Sequence, residues 1–323
     1  MTSNADYLVR RLRLRHLELL VALADAGTLR AAAIRLHLSQ PALSKMLVEI
    51  ETGFGARLFE RSAQGVTANA LGGAVVYRAR VILGELSRGK DEVDALRTGA
   101  TGVLRIGTLS VTSAVPKAVV QLRRGLPAAR VQILEGRVRE LIQRLLDGEL
   151  DCVFGAITPE LLASDLLPQL RPEVLLEDEL CVLCGADHPL ARRRRLQWAD
   201  LRTVAWVAPP KDTLVRQAFM TAFLNGGLEP PEPAIEVLSS VSVGSLLRMD
   251  AMLLGAVRLE HAQDELSRAG MRRLSVTPAV PLPSLGLYTR RATESPAPLV
   301  QAFAGAIRRV GARVRGADIR GVG

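Results

Sequence analysis

The most restrictive feature of this sequence is one short helix that has to be apolar on one side and polar on the other. Between Ser39 and Ile50, the residues Leu43, Met46, Leu47 and Ile50 recur at three- and four-residue steps, while Gln40, Pro41, Ser44 and Lys45 fall on the opposite side. Ser39 is placed to cap this helix, and Pro41 is tolerated in its first turn. Two more helical patterns precede it. Leu17, Leu20, Val21 and Ala24 form the first stripe, which Gly27 ends. Thr28 caps the second, whose stripe is Leu29, Ala32, Ala33 and Leu36; its two alanines let another helix come close. Only Leu38 and Ser39 are left for the turn before the third helix. Three small amphipathic helices with so tight a turn make a helix-turn-helix, the third helix offering polar and basic groups outward. The segment LFERSAQGVTANALG then reads as a β-ribbon, or wing, with Gly65 at its turn.

Residues 69–98 keep a helical pattern in which Leu71, Val75, Ala79, Ile82, Leu86, Val93 and Leu96 recur at steps of three, four or seven. A long narrow seam of this kind is a coiled-coil-like partner face. Gly84 and Gly89 each weaken an isolated helix by roughly 1 kcal/mol relative to Ala, so pairing is expected to stabilise it. From residue 102 strands and helices alternate: GVLRIGTL, PKAVVQLRRGL, VQILEG, VRELIQRLLDG and LDCVFGAI predict βαβαβ with a parallel sheet. VLLEDELCVLCGADHP is a longer extended segment that leaves this sheet for a second one. TVAWVAP, a helix at 214–225, AIEVLSS, a helix near 242–249 and MLLGAV continue the pattern; SLGLYTRR at 284–291 is a return strand, and a helix near 297–311 closes the first sheet. The Pro-rich stretches at 229–233 and 277–283 read as connections. The expected organisation is an all-α winged helix-turn-helix over 12–69, a linker helix over 70–98 and an α/β domain over 102–312. Lobe I of that domain takes 102–172 plus 278–312, and lobe II takes 173–277. Two such lobes leave a cleft, the usual place for a ligand.

Composition narrows the function. The 42 basic and 33 acidic side chains leave a net charge of +9, which favours a polyanionic partner. Residues 1–68 hold nine basic and six acidic groups and residues 308–323 five Arg against Asp318, so the surplus is spread out and does not by itself locate a site. Three cysteines cannot make a disulfide framework, which points to a reducing, cytoplasmic setting. No run of 18 apolar residues is present for a membrane helix, and Glu18 and Asp25 break the one stretch that starts like a signal peptide. Cys181-x-x-Cys184 has redox spacing but no second pair for structural zinc. On a strand its two side chains point to opposite faces, so both read as core residues, as does Cys152. His16, His37, His188 and His261 show no metal spacing, and Arg192–Arg195 reads as a solvated loop. No triad spacing, phosphate-cradling Gly loop or zinc motif speaks for an enzyme, and no cofactor or metal is expected.

The first 70 residues resemble the DNA-binding domain of LysR-type transcriptional regulators. The resemblance rests on Gly27-Thr28, the paired alanines, Ser39-Gln40-Pro41-Ala42-Leu43-Ser44, Glu49-Ile50-Glu51 and the G-x-x-L-F-x-R of Gly55–Arg61. Arg105-Ile106-Gly107 and the L-x-x-G-x-L-D ending at Asp151 extend it over nearly the whole chain. Thr67-Ala68-Asn69-Ala70 departs from the family's pattern, so the end of the wing is expected to differ in detail. The stretch LRAAAIRLHLSQPAL is most similar to members governing catabolism of aromatic acids or sugars. The resemblance implies a winged helix-turn-helix, a dimerising linker helix and an effector domain of two Rossmann-like lobes similar to periplasmic solute-binding proteins. It also implies a homodimer or dimer of dimers on double-stranded promoter DNA, with RNA polymerase as a further partner and no membrane.

On that reading Gln40, Pro41, Ser44 and Lys45 reach the major groove, Thr28 and Arg30 meet phosphates, and Arg61 and Gln64 of the wing approach the adjacent backbone or minor groove. The cleft offers Thr108, Ser110, Thr112 and Ser113 after the first strand, Arg137 after the second, Thr213 and Arg216 at a lobe II helix, and Ser239 and Ser240 after AIEVLSS. Hydroxyls and free N–H groups at a helix start suit a carboxylate, so a small organic anion is the expected effector. The alternatives are a redox-responsive regulator using Cys181 and Cys184, an enzyme using the cleft, and a solute-binding protein, which leaves the first 98 residues without a role.

Overall fold

A computed structural model of the chain describes residues 11–62, 65–97, 102–109, 114–291 and 297–318. Contacts divide it into two compact units, one running to Val103 and joined by Ile142–Asp151, the other Leu104–Leu141 with the chain from Cys152 onward.

Among the described residues the first unit has three helices, α1 (Leu14–Ala26), α2 (Leu29–Arg35) and α3 (Gln40–Phe54), before a ribbon of β1 (Phe59–Ser62) and β2 (Gly65–Ala68) and the long helix α4 (Ala70–Arg97). Its core is Leu19, Leu20, Leu23, Ala32, Ala33, Leu43, Leu47 and Ile50 with Leu58, Phe59, Val66, Val76 and Ala79. The α1 stripe is rotated from the expected one: Leu19, Ala22 and Leu23 are buried beside Leu20, while Leu17, Val21 and Ala24 are only partly covered. LELLVALA is apolar at nearly every position, so its period alone could not choose the face. The turn between α2 and α3 is four residues, Leu36–Ser39, rather than two, because α2 stops at Arg35 and His37 takes a left-handed φ of 54°. The loop of the ribbon, residues 63 and 64, lies outside the described residues, and with it Gln64.

Gly65 shows why the ribbon needs glycine. Its φ is +131°, and a Cβ there would sit 2.5 Å from the Gly27 carbonyl oxygen, which itself accepts from Val66 N–H at 2.7 Å. The atypical Asn69 is explained as well. Its side chain donates to the Arg57 carbonyl at 2.9 Å and accepts from Gly72 N–H at 2.9 Å, so it caps α4 and ties the helix start to the wing. Along α4, Val76 and Ala79 are buried in the core, but Leu71, Ile82, Leu86 and Val93 stay about half exposed. Further along, Arg80 pairs with Asp25 of α1 and with Asp147, and Arg88 donates to the Gly148 and Leu150 carbonyls at 3.2 Å each. Gly84 leaves room for this turn, since a Cβ would lie 3.1 Å from Gly148 Cα. These contacts are why residues 142–151 group with α4.

The second unit is built on a large twisted sheet. Its lobe I strands are β3 (Gly102–Thr108), β4 (Ala129–Glu135) and β5 (Cys152–Ala156), with α5 (Ala114–Gly125) following β3 and α6 (Val138–Leu146) following β4. β3 and β5 pair in parallel. The short helix α7 (Pro159–Leu162) precedes the long strand β6 (Leu170–Gly185). A separate parallel pair joins β7 (Leu196–Gln197) to β12 (Val276–Thr277). Lobe II holds β8 (Ala205–Ala208), β9 (Ile235–Glu236), β10 (Leu253–Arg258) and β11 (Met271–Leu274), with the helices α8 (Leu214–Leu224), α9 (Ser240–Met249) and α10 (Leu259–Leu266). The return strand β13 (Pro281–Arg290) and the last helix, α11 (Pro298–Asp318), complete the unit. The nine strands of the large sheet run β4-β3-β5-β13-β6-β10-β8-β9, with β11 also on β6. β6 pairs antiparallel with β13 over its first part and with β10 and β11 over its second, so it passes from one lobe to the other.

Lobe I packs α5 and α11 around Ile106, Phe154, Leu287 and Phe303. In the lobe II core Trp206, Phe219, Phe223 and Trp198 meet edge-on. The 277–283 stretch, expected as a connection, already enters β13 at Pro281. No described helix is long and apolar enough to cross a membrane.

Candidate functional site

The polar side of α3 is built from the cap upward. Ser39 Oγ accepts from Ala42 N–H at 3.3 Å and starts the helix, with Pro41 in its first turn. The period then buries Leu43, Leu47 and Ile50 at 2% exposure or less and turns Gln40, Pro41 and Lys45 to the surface, with Ser44 half-buried beside them. Thr28 Oγ1 caps α2, accepting from Ala31 N–H at 3.1 Å, and Arg30 is exposed. Arg15 donates to the Leu36 carbonyl at 3.0 Å and holds the turn between the two helices. Arg61 is exposed on β1. A residue that sequence reasoning left without a role fixes the wing: Glu51 Oε1 accepts from Leu58 N–H at 2.8 Å and Phe59 N–H at 3.2 Å. A carboxylate in the last turn of α3 thus anchors the ribbon's first strand to the helix. The signal was an acidic residue seven positions before a Leu-Phe pair.

The cleft residues are only partly brought together. Ser110, Thr112 and Ser113 lie outside the described residues. Thr108 ends β3, is 3% exposed, and its carbonyl accepts from Gly136 N–H at 3.1 Å. Arg137 is exposed and paired at 3.0 Å with Asp212. Thr213 caps α8, accepting from Arg216 N–H at 3.3 Å and donating to the Pro210 carbonyl at 2.8 Å. Ser239, exposed, stands at the N-cap of α9 without a side-chain cap bond. Arg216 corrects the expectation of a guanidinium facing a ligand. Its side chain is 2% exposed and held by Glu232 at 2.9 Å and Glu236 at 3.6 Å, with its cationic carbon 5.8 Å from the Phe219 ring centre. Two carboxylates of the chain itself stand where an effector's was expected, and Lys211 and Arg216 together hold the Glu232 carboxyl below its usual range.

The cysteine pair sits on β6 with Cys181 packed among Val207 and Val257 on one face and Cys184 among Trp206 and Ala256 on the other. Both are buried and outside any disulfide, and burial pushes the Cys184 thiol up to about 11. Among the described residues no group of three or more His, Cys, Asp or Glu side chains could hold a metal ion.

Two family models match. Residues 14–73 match the bacterial regulatory helix-turn-helix protein of the lysR family, and residues 97–312 match the LysR substrate binding domain. The chain is 35% identical over 239 residues to the HTH-type transcriptional regulator GbpR of Azospirillum brasilense, covering 73% of this chain and 68% of that one. It is 29% identical over 279 residues to the HTH-type transcriptional regulator GalR of Pseudomonas putida, covering 85% and 68%. Among solved structures, CbnR superposes with a TM-score of 0.56 at 23% identity over 93% of this chain and 99% of that one. A full-length OxyR variant from Pseudomonas aeruginosa does so with a TM-score of 0.61 at 21% identity, over 92% and 95%. These two likenesses establish the fold.

Proposed function

Because this chain belongs to the LysR family of bacterial helix-turn-helix regulators, we propose that its DNA-reading surface is the polar side of α3. It is a DNA-binding transcriptional regulator with an effector-binding domain. In the proposed complex Gln40, Pro41, Ser44 and Lys45 enter the major groove, Gln40 bonding adenine, Ser44 a base or phosphate, and Lys45 guanine or phosphate. Thr28, Arg30, Arg61 and Gln64 set the register on the backbone. The observation that carries the reading is the division of α3 into a buried apolar side and an exposed polar one, capped and braced by Ser39, Arg15 and Glu51.

The half-exposed seam Leu71, Ile82, Leu86 and Val93 supports self-association through α4, which spaces two α3 helices on successive half-sites. A small organic effector between the lobes, taken as an anion near Thr108, Ser110, Thr112, Arg137, Thr213 and Ser239, alters that spacing. The chain works without catalysis in the cytoplasm. Electrophoretic shift and footprinting with the DNA upstream of its own gene test the reading. Protection of two half-sites about one helical turn or a multiple apart is expected; no protection beyond that of unrelated DNA at the same salt would refute it.

A further inference from the structure

The two lobes are joined by more than the strands that cross between them. We propose that α10 is a latch between the lobes, in which Glu260 of lobe II closes on the first turn of the lobe I helix α5 and holds the lobes together without an effector. Glu260 Oε1 accepts from Ala114 N–H at 3.0 Å, and one turn further along both helices Lys117 Nζ lies 3.6 Å from Asp264. Ala114 is the first described residue of α5, and a backbone N–H in the first turn of a helix lies at the positive end of its dipole. A lobe II carboxyl group thus accepts a backbone N–H of the lobe I helix.

The latch is rooted at the hinge. Asp178, on the crossing strand β6, accepts from Leu259 N–H at 3.1 Å and pairs with Arg258, whose guanidinium also donates at 3.2 Å to the Pro283 carbonyl on the other crossing strand, β13. The far end of α10 is fixed to lobe II by Glu265, which is fully buried and paired with Arg248 and Arg268. Gly244 lets α9 lie against that carboxylate, since a Cβ there would come within 2.5 Å of it. With both ends held, α10 moves with lobe II, and Glu260 reports whether lobe II is against lobe I. A further bridge between the lobes, Arg137 to Asp212, joins two exposed side chains and holds weakly.

The groups around Glu260 are Ala114 and Lys117 of α5, Asp264 on α10 itself, and Arg258 and Asp178 at the hinge. The residue is partly exposed, but its carboxyl group is enclosed in the contact, and burial pushes it up to about 7 from an ordinary value of 4.5. A neutral carboxyl keeps a carbonyl oxygen for Ala114 N–H. The closed lobes therefore favour the protonated acid, and opening returns the group to water. Closure is tightest below about 4.5 and is lost as pH rises through 7, with the open-to-closed ratio rising about fifty-fold between roughly pH 5 and 7.5.

The latch bears on the proposed effector response, but its test needs neither effector nor DNA, so its failure leaves the regulator reading standing. Spin labels on Arg124→Cys in α5 and Met249→Cys in α9 report the distance between lobes in the full chain, diluted among unlabelled chains. Arg124 is exposed, Met249 is 86% exposed, and the three native cysteines are buried. The wild type is expected to shift from a closed to an open distance between roughly pH 5 and 7.5. Glu260→Ala should be open at both values, and Glu260→Gln, which accepts but cannot ionise, closed at both. Identical distances in Glu260→Ala and the wild type at pH 5, or a Glu260→Gln shift equal to the wild type's, would overturn the latch. If Glu260→Ala does not fold, as judged by circular dichroism, the Gln variant alone decides.

Discussion

Glu51 makes a sharp test of how the helix and the wing are built as one object. Its carboxylate never needs to touch DNA, yet it receives two backbone N–H groups of the wing at 2.8 and 3.2 Å. Glu51→Ala leaves both donors without a partner. A hydrogen bond to a charged acceptor is worth about 1.5–3 kcal/mol, and Glu51 is half-buried, so water replaces part of the loss. The longer bond counts for less than the shorter, and about 2 kcal/mol in total is expected. That corresponds to roughly 30-fold faster amide exchange at Leu58 and Phe59 if these open locally. Glu51→Gln keeps one acceptor oxygen and should fall about halfway on the free-energy scale. Hydrogen exchange followed by mass spectrometry on the full chain reads both amides, and DNA affinity should drop in the same order. Exchange within threefold of the wild type in Glu51→Ala would refute the reasoning, because the wing would then be held by other contacts.

Three further outcomes follow from particular residues. Gly244→Ala gains about 1 kcal/mol of helix propensity but drives a methyl into the buried, doubly paired Glu265. A net loss of roughly 1–2 kcal/mol is expected in urea unfolding followed by the fluorescence of Trp198 and Trp206, and a gain would show that Glu265 can move aside. With its pKa near 11, Cys184 is thiolate in only about one molecule in ten thousand at neutral pH. The native protein should therefore react with a thiol reagent far more slowly than the unfolded chain, and peroxide should leave DNA binding unchanged in wild type and Cys184→Ser alike. Fast oxidation with altered binding would restore the redox alternative. Leu86→Glu places a charge on the seam of α4, where Leu86 is 56% exposed. Sedimentation should show at least a tenfold weaker self-association with unchanged helical content; unchanged association would move the interface elsewhere.

Much of the fold was legible because its periods are strong. The α3 stripe of Leu43, Leu47 and Ile50 and the strand-helix alternation from residue 102 were visible in the sequence. What stayed hidden has physical causes. The helix α10 escaped because two of its three buried residues, His261 and Glu265, are polar, so no apolar period marks it. His261 is 3% exposed, and burial lowers its pKa. Arg216 was read as a cation facing an effector in the cleft, one turn into α8. Its partners, Glu232 and Glu236, come from the Pro-rich connection and from β9, and pairing at that distance leaves no local trace. Glu51 and Asn69 were visible as residue types, but their work is to hold backbone groups of a neighbouring segment, which needs the fold to be seen.

The most direct test of the central claim, that the polar side of α3 reads DNA sequence, is a comparison of specificity rather than of affinity. Binding of wild type, Gln40→Ala and Lys45→Ala is measured at fixed salt on the footprinted site and on single-base variants of it. Gln40→Ala should lose roughly 1–3 kcal/mol of discrimination at one base position, about 5- to 150-fold, while keeping its non-specific binding. Lys45→Ala should lose discrimination at a neighbouring position or flatten the salt dependence by about one unit. If both variants keep the wild-type ranking of every base change and its salt slope, α3 does not read the sequence.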